Sequence, residues 1–500
     1  MRSLTLAITL LLLTACADEG GDASPDADAG ATSGAMDADT TADTAADTGA
    51  VDTGAADTAA DTASADAPPE DTGPSPLDES LAAILADLEE PQLPLEPVTD
   101  RGPAQVALGR ALFFDPILSG NKDIACATCH TPGLGTSDRL NLSVGTGGGG
   151  LGAERAEGDY PGFVPRHAVD LFNRGDARWT TMFWDSRVER GEGGALMTPL
   201  GDDLPDGVEG VLAAQALFPF LDRVEMLGQP GDVAADGTAN ELATFDDDAP
   251  QAIFTAIVDR LRALPGYVEL FAAAWPDLAP EDWTIAHVVN AIAAYEAQAF
   301  SFTDTPWDRY LRGDLSAISD VAKIGASVFF GSAGCGNCHS GPLLSDQLPH
   351  VTGIPQLGPG MPGDAPFDTG RERVTGDPGD RFAFRTPPLR NVELSAPYMH
   401  NGALPTLERA VAHYASPDEA VADLDEGSLH PDLRGTVQRD AEHVADLSAR
   451  LSPEMPRGTE ATVGLSNVRE FLKALTDPAA RDPGAPPESV PSGLPVAGSP

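Results

Sequence analysis

Apolar residues recur at three- and four-residue spacings over 82–90, 252–264, 284–300 and 465–475, which predicts amphipathic helices there. Leu108–Phe114 and Ile324–Phe330 share a further pattern. Each reads as a helix that opens on an aliphatic residue and a glycine and ends on two phenylalanines. Alternating patterns are scarce, so few strands are expected. Residues 140–164 form a long Gly-rich loop, and such loops in compact domains are often functional. Its glycines neither follow a strand nor open a helix, which argues against a phosphate cradle. Residues 17–78 hold almost no large apolar side chain and are expected to stay disordered. The Pro/Gly/Ser-rich stretch 479–500 reads as a second disordered tail.

Charge sharpens this division. The chain has 500 residues and a formal net charge of −48. Sixteen acids and no base fall in 17–78, so that stretch reads as a self-repelling tether. The remainder from 79 is also acidic, which excludes a nucleic-acid binder needing basic surface. Residues 1–16 join one Arg, a short apolar run and small residues, a secretory signal pattern. Leu13-Thr-Ala-Cys16 resembles a bacterial lipobox. That resemblance implies cleavage before Cys16, a lipid on its sulfur and an outer-membrane anchor facing the periplasm. Ordinary secretion is the alternative.

The other four cysteines fall as Cys126-Ala-Thr-Cys129-His130 and Cys335-Gly-Asn-Cys338-His339. CxxCH is the pattern of covalent haem attachment: two thiols add to the haem vinyls and the adjacent His reaches the iron. A zinc site would leave both histidines unexplained. A redox CxxC would sit in a βαβ pattern, which is missing. The fold expected is mainly α, with two cytochrome c-like haem domains, at 79–300 and 301–478, long loops, and the tether in front.

Beyond CxxCH, the chain resembles the bacterial di-haem cytochrome c peroxidase family, MauG-type enzymes included, from about residue 100 to 478. Five motifs carry the resemblance: Leu108–Gly120, Phe183–Arg187 (FWDSR), Pro306–Leu311 (PWDRYL), Arg385–Val392 (RTPPLRNV) and Ala396–Gly402 (APYMHNG). It implies two haem c groups, with peroxide reacting at the haem on His130 and electrons relayed by the haem on His339. It also implies Glu225 as acid–base, Gln215 holding the bound peroxide, and Trp184 between the haems. Members often carry a distal histidine after the first CxxCH, but no histidine lies between His130 and His167, so an open first haem is expected unless His167 caps it. For the second haem, Tyr414 is the expected sixth ligand, with Met399 and Met455 as rivals. Calcium is doubtful, because His167 stands where the family has an Asn ligand and imidazole suits calcium poorly. The partners implied are hydrogen peroxide, a small cytochrome c or cupredoxin donor or a protein substrate, and in many members a second copy of the chain. Three functions remain open: peroxide reduction, MauG-like oxidation of a partner protein, and plain electron transfer.

Overall fold

The computed structural model describes residues 73–156, 162–455 and 464–498. Cys16 and nearly all of the acidic stretch lie outside the described residues. The expected helices form at Pro250–Arg262, Ile285–Ala299 and Leu465–Lys473, with end residues differing by one or two positions. The helix expected at 82–90 begins earlier, at Pro76, because Ser75 and Asp78 close a capping box ahead of it. Among the described residues, strand is confined to a three-stranded antiparallel sheet of Thr181–Met182, Val188–Arg190 and Leu196–Met197, and to Pro349–His350 paired with Phe384–Arg385.

The two Gly-Phe-Phe segments build the same unit twice. The Pro103–Phe114 helix crosses Ile285–Ala299 at Gly109, where a Cβ would run into the Ala291 carbonyl. The Asp320–Phe330 helix crosses Leu465–Lys473 at Gly325, where a Cβ would run into the Asn467 carbonyl. A glycine inside a helix costs about 1 kcal/mol against alanine. The close crossing is what that cost permits. Phe113 and Phe114 then pack on Tyr295 and Phe300 in one core. Phe329 and Phe330 pack on Phe471 in the other.

The first and last described segments are exchanged between the cores, which corrects the expected boundaries. The Pro76–Ala86 helix belongs to the second core: Leu81 is buried there, and Asp78 pairs with Lys323 at 2.8 Å and accepts from the Tyr310 hydroxyl at 3.0 Å. The tail after 478 is ordered, not disordered. Val490 is buried in the first core, and Ala497 N–H donates to the Phe114 carbonyl at 3.0 Å. The Ser492 hydroxyl donates to Asp115 at 2.6 Å. Asp115 is fully buried and also accepts from the Tyr267 hydroxyl at 2.8 Å, so the tail completes the hydrogen bonding of a buried carboxylate. Composition marked this stretch as polar and Pro-rich, but Ala480, Val490, Leu494, Val496 and Ala497 pack on the first core and Ser492 ties the stretch to Asp115.

Candidate functional site

Each repeat encloses a cavity against its CxxCH turn. The first, about 560 Å³ and open to solvent, is lined by Cys126, Cys129 and His130 on one side. Gln215, Glu225 and Glu296 also line it. The His130 Nδ1 faces the Thr136 carbonyl at 3.2 Å. Donation to that carbonyl fixes the tautomer and leaves Nε2 free for iron, the usual arrangement around a ligating imidazole. Among the described residues, His130 is the one histidine lining this cavity. His167 is turned elsewhere: its Nδ1 lies 2.8 Å from the Leu140 carbonyl.

Glu225 sits in a single wide helical turn, Arg223–Leu227, capped by Asp222, whose carboxylate accepts from the Val224 and Glu225 N–H groups at 2.8 Å each. Wide turns of this kind are often functional. Gln215 ends the short helix Gly210–Gln215. The nine residues between them fold back, so both side chains reach one cavity. The Gly-rich loop braces this turn from outside. Thr146 N–H donates to the Val224 and Glu225 carbonyls, both at 3.1 Å. Buried Arg155 in turn holds the Val144 and Gly145 carbonyls at 2.7 Å. Burial pushes the Glu225 carboxyl up to about 7, with Asp222 adding to the shift and Arg187 opposing it.

Trp184 lines the second cavity. Its indole N–H donates to the His167 carbonyl at 3.0 Å, and its own carbonyl accepts from Arg385 N–H at 2.7 Å. The His167 ring approaches Ser137, next to the Thr136 that receives His130. Trp184 thus links the wall of one cavity to the loop supporting the other. Its turn is pinned by Arg166, which bridges Asp185 at 2.7 Å and Asp368 at 2.6 Å in the interior. Burial alone would raise the Asp185 carboxyl, but Arg166 and Arg187 hold it well below the usual range.

The second cavity, about 1240 Å³ and also open to solvent, is larger and mostly apolar. Cys335, Cys338 and His339 line it, and the His339 Nδ1 lies 3.0 Å from the Leu344 carbonyl. Tyr414, Met399 and Met455 all reach it, as does His400, whose ring stacks on Phe384 at 3.6 Å. Burial raises the Tyr414 hydroxyl above its ordinary range.

Three further cavity residues escaped sequence reasoning. His350 lines the second cavity and pairs with Asp346 at 2.8 Å. That hydrogen bond pushes its imidazole up to about 10. Arg385 is 1 % exposed, has no carboxylate in contact among the described residues, and borders the same cavity. Burial pushes its guanidinium down to about 9. Glu296 projects into the first cavity from the Ile285–Ala299 helix. The RTPPLRN motif could have pointed to Arg385; nothing local marks the other two.

These donors fit haem in each cavity: a thiol pair, an imidazole with one nitrogen tied to a carbonyl, and apolar walls. In the second, Arg385 suits the carboxylates a haem carries. The fold and both cavities define a two-haem helical protein of duplicated cytochrome c-like architecture. The di-haem cytochrome c peroxidase model (CCP_MauG) matches residues 103–316. The methylamine utilization protein MauG of Methylorubrum extorquens is 32% identical over 340 residues, 67% of this chain and 76% of that protein. The cytochrome c551 peroxidase of Pseudomonas aeruginosa is 31% identical over 317 residues, 63% and 72%. The crystal structure of a MauG-like protein associated with microbial copper homeostasis superposes with a TM-score of 0.53 at 26% identity, covering 79% of this chain and 96% of that one. The chain belongs to the di-haem cytochrome c peroxidase family and is an oxidoreductase of that family.

Proposed function

We propose that the chain reduces hydrogen peroxide at the first cavity with electrons relayed through the second. The observation that carries this reading is the convergence of Glu225, Gln215 and His130 on one cavity. Cys126 and Cys129 would hold one haem c in the first cavity and Cys335 and Cys338 another in the second, and these groups would supply iron able to activate peroxide and redox equivalents. Glu225, poised near 7, takes the proton from one peroxide oxygen and returns it to the other. The Gln215 amide orients the peroxide. Trp184 carries the electrons between the cavities, and a small cytochrome c or cupredoxin donates them. An acidic surface favours a donor with a basic face, so added salt should slow the reaction. The leader and Cys16 place the enzyme in the periplasm on a lipid anchor. No helix among the described residues is long and apolar enough to cross a membrane.

A second reading, peroxide-dependent oxidation of a partner protein, is favoured by the lack of a second histidine at the first cavity among the described residues and by Tyr414 at the second. A Tyr ligand would favour ferric iron there. One optical experiment tests both: one equivalent of peroxide is added to the fully oxidised protein. Immediate, long-lived oxidation of both haems supports the second reading. Reaction only after partial reduction supports donor-fed peroxide reduction. No reaction in either state would leave an electron carrier and refute both.

A further inference from the structure

The duplicated fold provides an internal control. Gly109 meets Ala291 and Tyr295 across one helix crossing, and Gly325 meets Asn467 and Phe471 across the other. Tyr295 therefore corresponds to Phe471, and the next residue, Glu296, corresponds to Leu472. Both line their cavities, and both are buried, at 7 % and 4 % exposure. The second cavity shows that leucine satisfies this position. In the first, a carboxyl occupies it at a desolvation cost that packing does not require.

No described residue donates a hydrogen bond to that carboxyl. The groups that act electrostatically with it are Arg174 from the 165–179 loop, Cys126 of the haem-binding turn and Tyr295 on its own helix. Arg174 is already engaged by Asp170 at 3.3 Å and by the Trp179 ring at 4.6 Å. Glu225 lines the same cavity.

We infer that Glu296 is a second proton-carrying carboxyl of the first site, supplying protons consumed when peroxide is reduced. The inference rests on the peroxide reading above. Reduction of one peroxide breaks the O–O bond, takes two electrons from the donor and two protons, and releases two waters. Glu225 only moves a proton from one oxygen to the other, so the two protons consumed must enter from outside. Once the O–O bond is broken and the first water has left with both peroxide protons, Glu296 gives its carboxyl proton to the oxygen left behind, which takes two electrons and two protons to leave as the second water, and Glu296 is reprotonated from solvent after each transfer. Burial pushes its carboxyl up to about 8, so it still carries that proton at neutral pH.

The test uses the holoprotein with Glu296→Gln, Glu296→Leu (the residue of the sister repeat) and Glu225→Gln. Donor-fed peroxide turnover is followed from about pH 6 to 9, and infrared spectra record protonated carboxyls. The wild-type rate should fall above about pH 8. Both Glu296 variants should react roughly a hundredfold more slowly at pH 7 and lose that falling limb. Their haem spectra should stay unchanged. A protonated-carboxyl band present at pH 7 should disappear in Glu296→Gln, and this readout stands even if the leucine variant fails to fold. Slow reaction in Glu225→Gln alone, with both Glu296 variants matching wild type, overturns this inference and leaves the peroxide reading intact. Wild-type rates in Glu225→Gln overturn that reading itself.

Discussion

Glu225→Gln is the perturbation that bears most directly on the site. It keeps the shape of the side chain and the Asp222 cap, which binds the backbone of Glu225 and not its carboxyl. It removes the group proposed to shuttle a proton between the peroxide oxygens. A positioned acid–base is worth about a hundredfold to ten-thousandfold in rate, or about 3–5 kcal/mol of barrier. The carboxyl sits near 7 because of burial, so the base form appears as pH rises through that value. The wild-type peroxide rate should therefore rise between about pH 6 and 8. The variant should be slow and flat over that range. Stability should move the opposite way. A carboxyl raised from 4.5 to about 7 on folding costs nothing below the unfolded value. The cost grows through the window between those values and levels above about 7, at about 3 kcal/mol. Chemical denaturation at pH 8 should thus find Glu225→Gln more stable than wild type, and at pH 4 indistinguishable from it. Stopped-flow and denaturation curves on one preparation give both numbers. A variant as fast as wild type, or one less stable at pH 8, would refute the reasoning.

Other consequences follow from packing and ligation. Removing residues 483–500 exposes part of the first core and strips Asp115 of two hydrogen bonds from Ser492. The loss should be about 2–4 kcal/mol in urea unfolding, whereas a disordered tail would give none. Gly325→Ala drives a methyl into the Asn467 carbonyl and should lower the thermal midpoint far more than an ordinary surface glycine replacement, read by circular dichroism. Tyr414→Met should raise the midpoint potential of the second haem in a spectroelectrochemical titration; an unchanged potential would remove Tyr414 as its ligand. Trp184→Phe deletes the hydrogen bond to the His167 carbonyl and should slow electron transfer between the haems while leaving both absorption spectra intact.

Local chemistry made much of this protein legible. CxxCH is a contiguous signal, so both candidate haem-attachment turns could be read from five residues each. The helices came from periodicity, and the shared Gly-x-x-x-Phe-Phe pattern marked a duplicated helix, but that each glycine lies at a close helix crossing emerged only from the structure. Glu225 and Gln215 could be named only through resemblance, since nothing in a lone Glu ten residues after a Gln says that the chain between them folds back. Tertiary structure decided the rest. Periodicity says that the Pro76–Ala86 helix has an apolar face but not which core receives it, and it chose the distant one, drawn by Lys323 and Tyr310. Composition weighed the C-terminal stretch as an average, while docking needed only a few apolar contacts and one buried carboxylate waiting for a donor. His350, Arg385 and Glu296 acquire their character from burial and from neighbours in space, which no single stretch of chain encodes. Sequence fixes which groups are present; the low dielectric around them and the partners they lack decide what those groups can do.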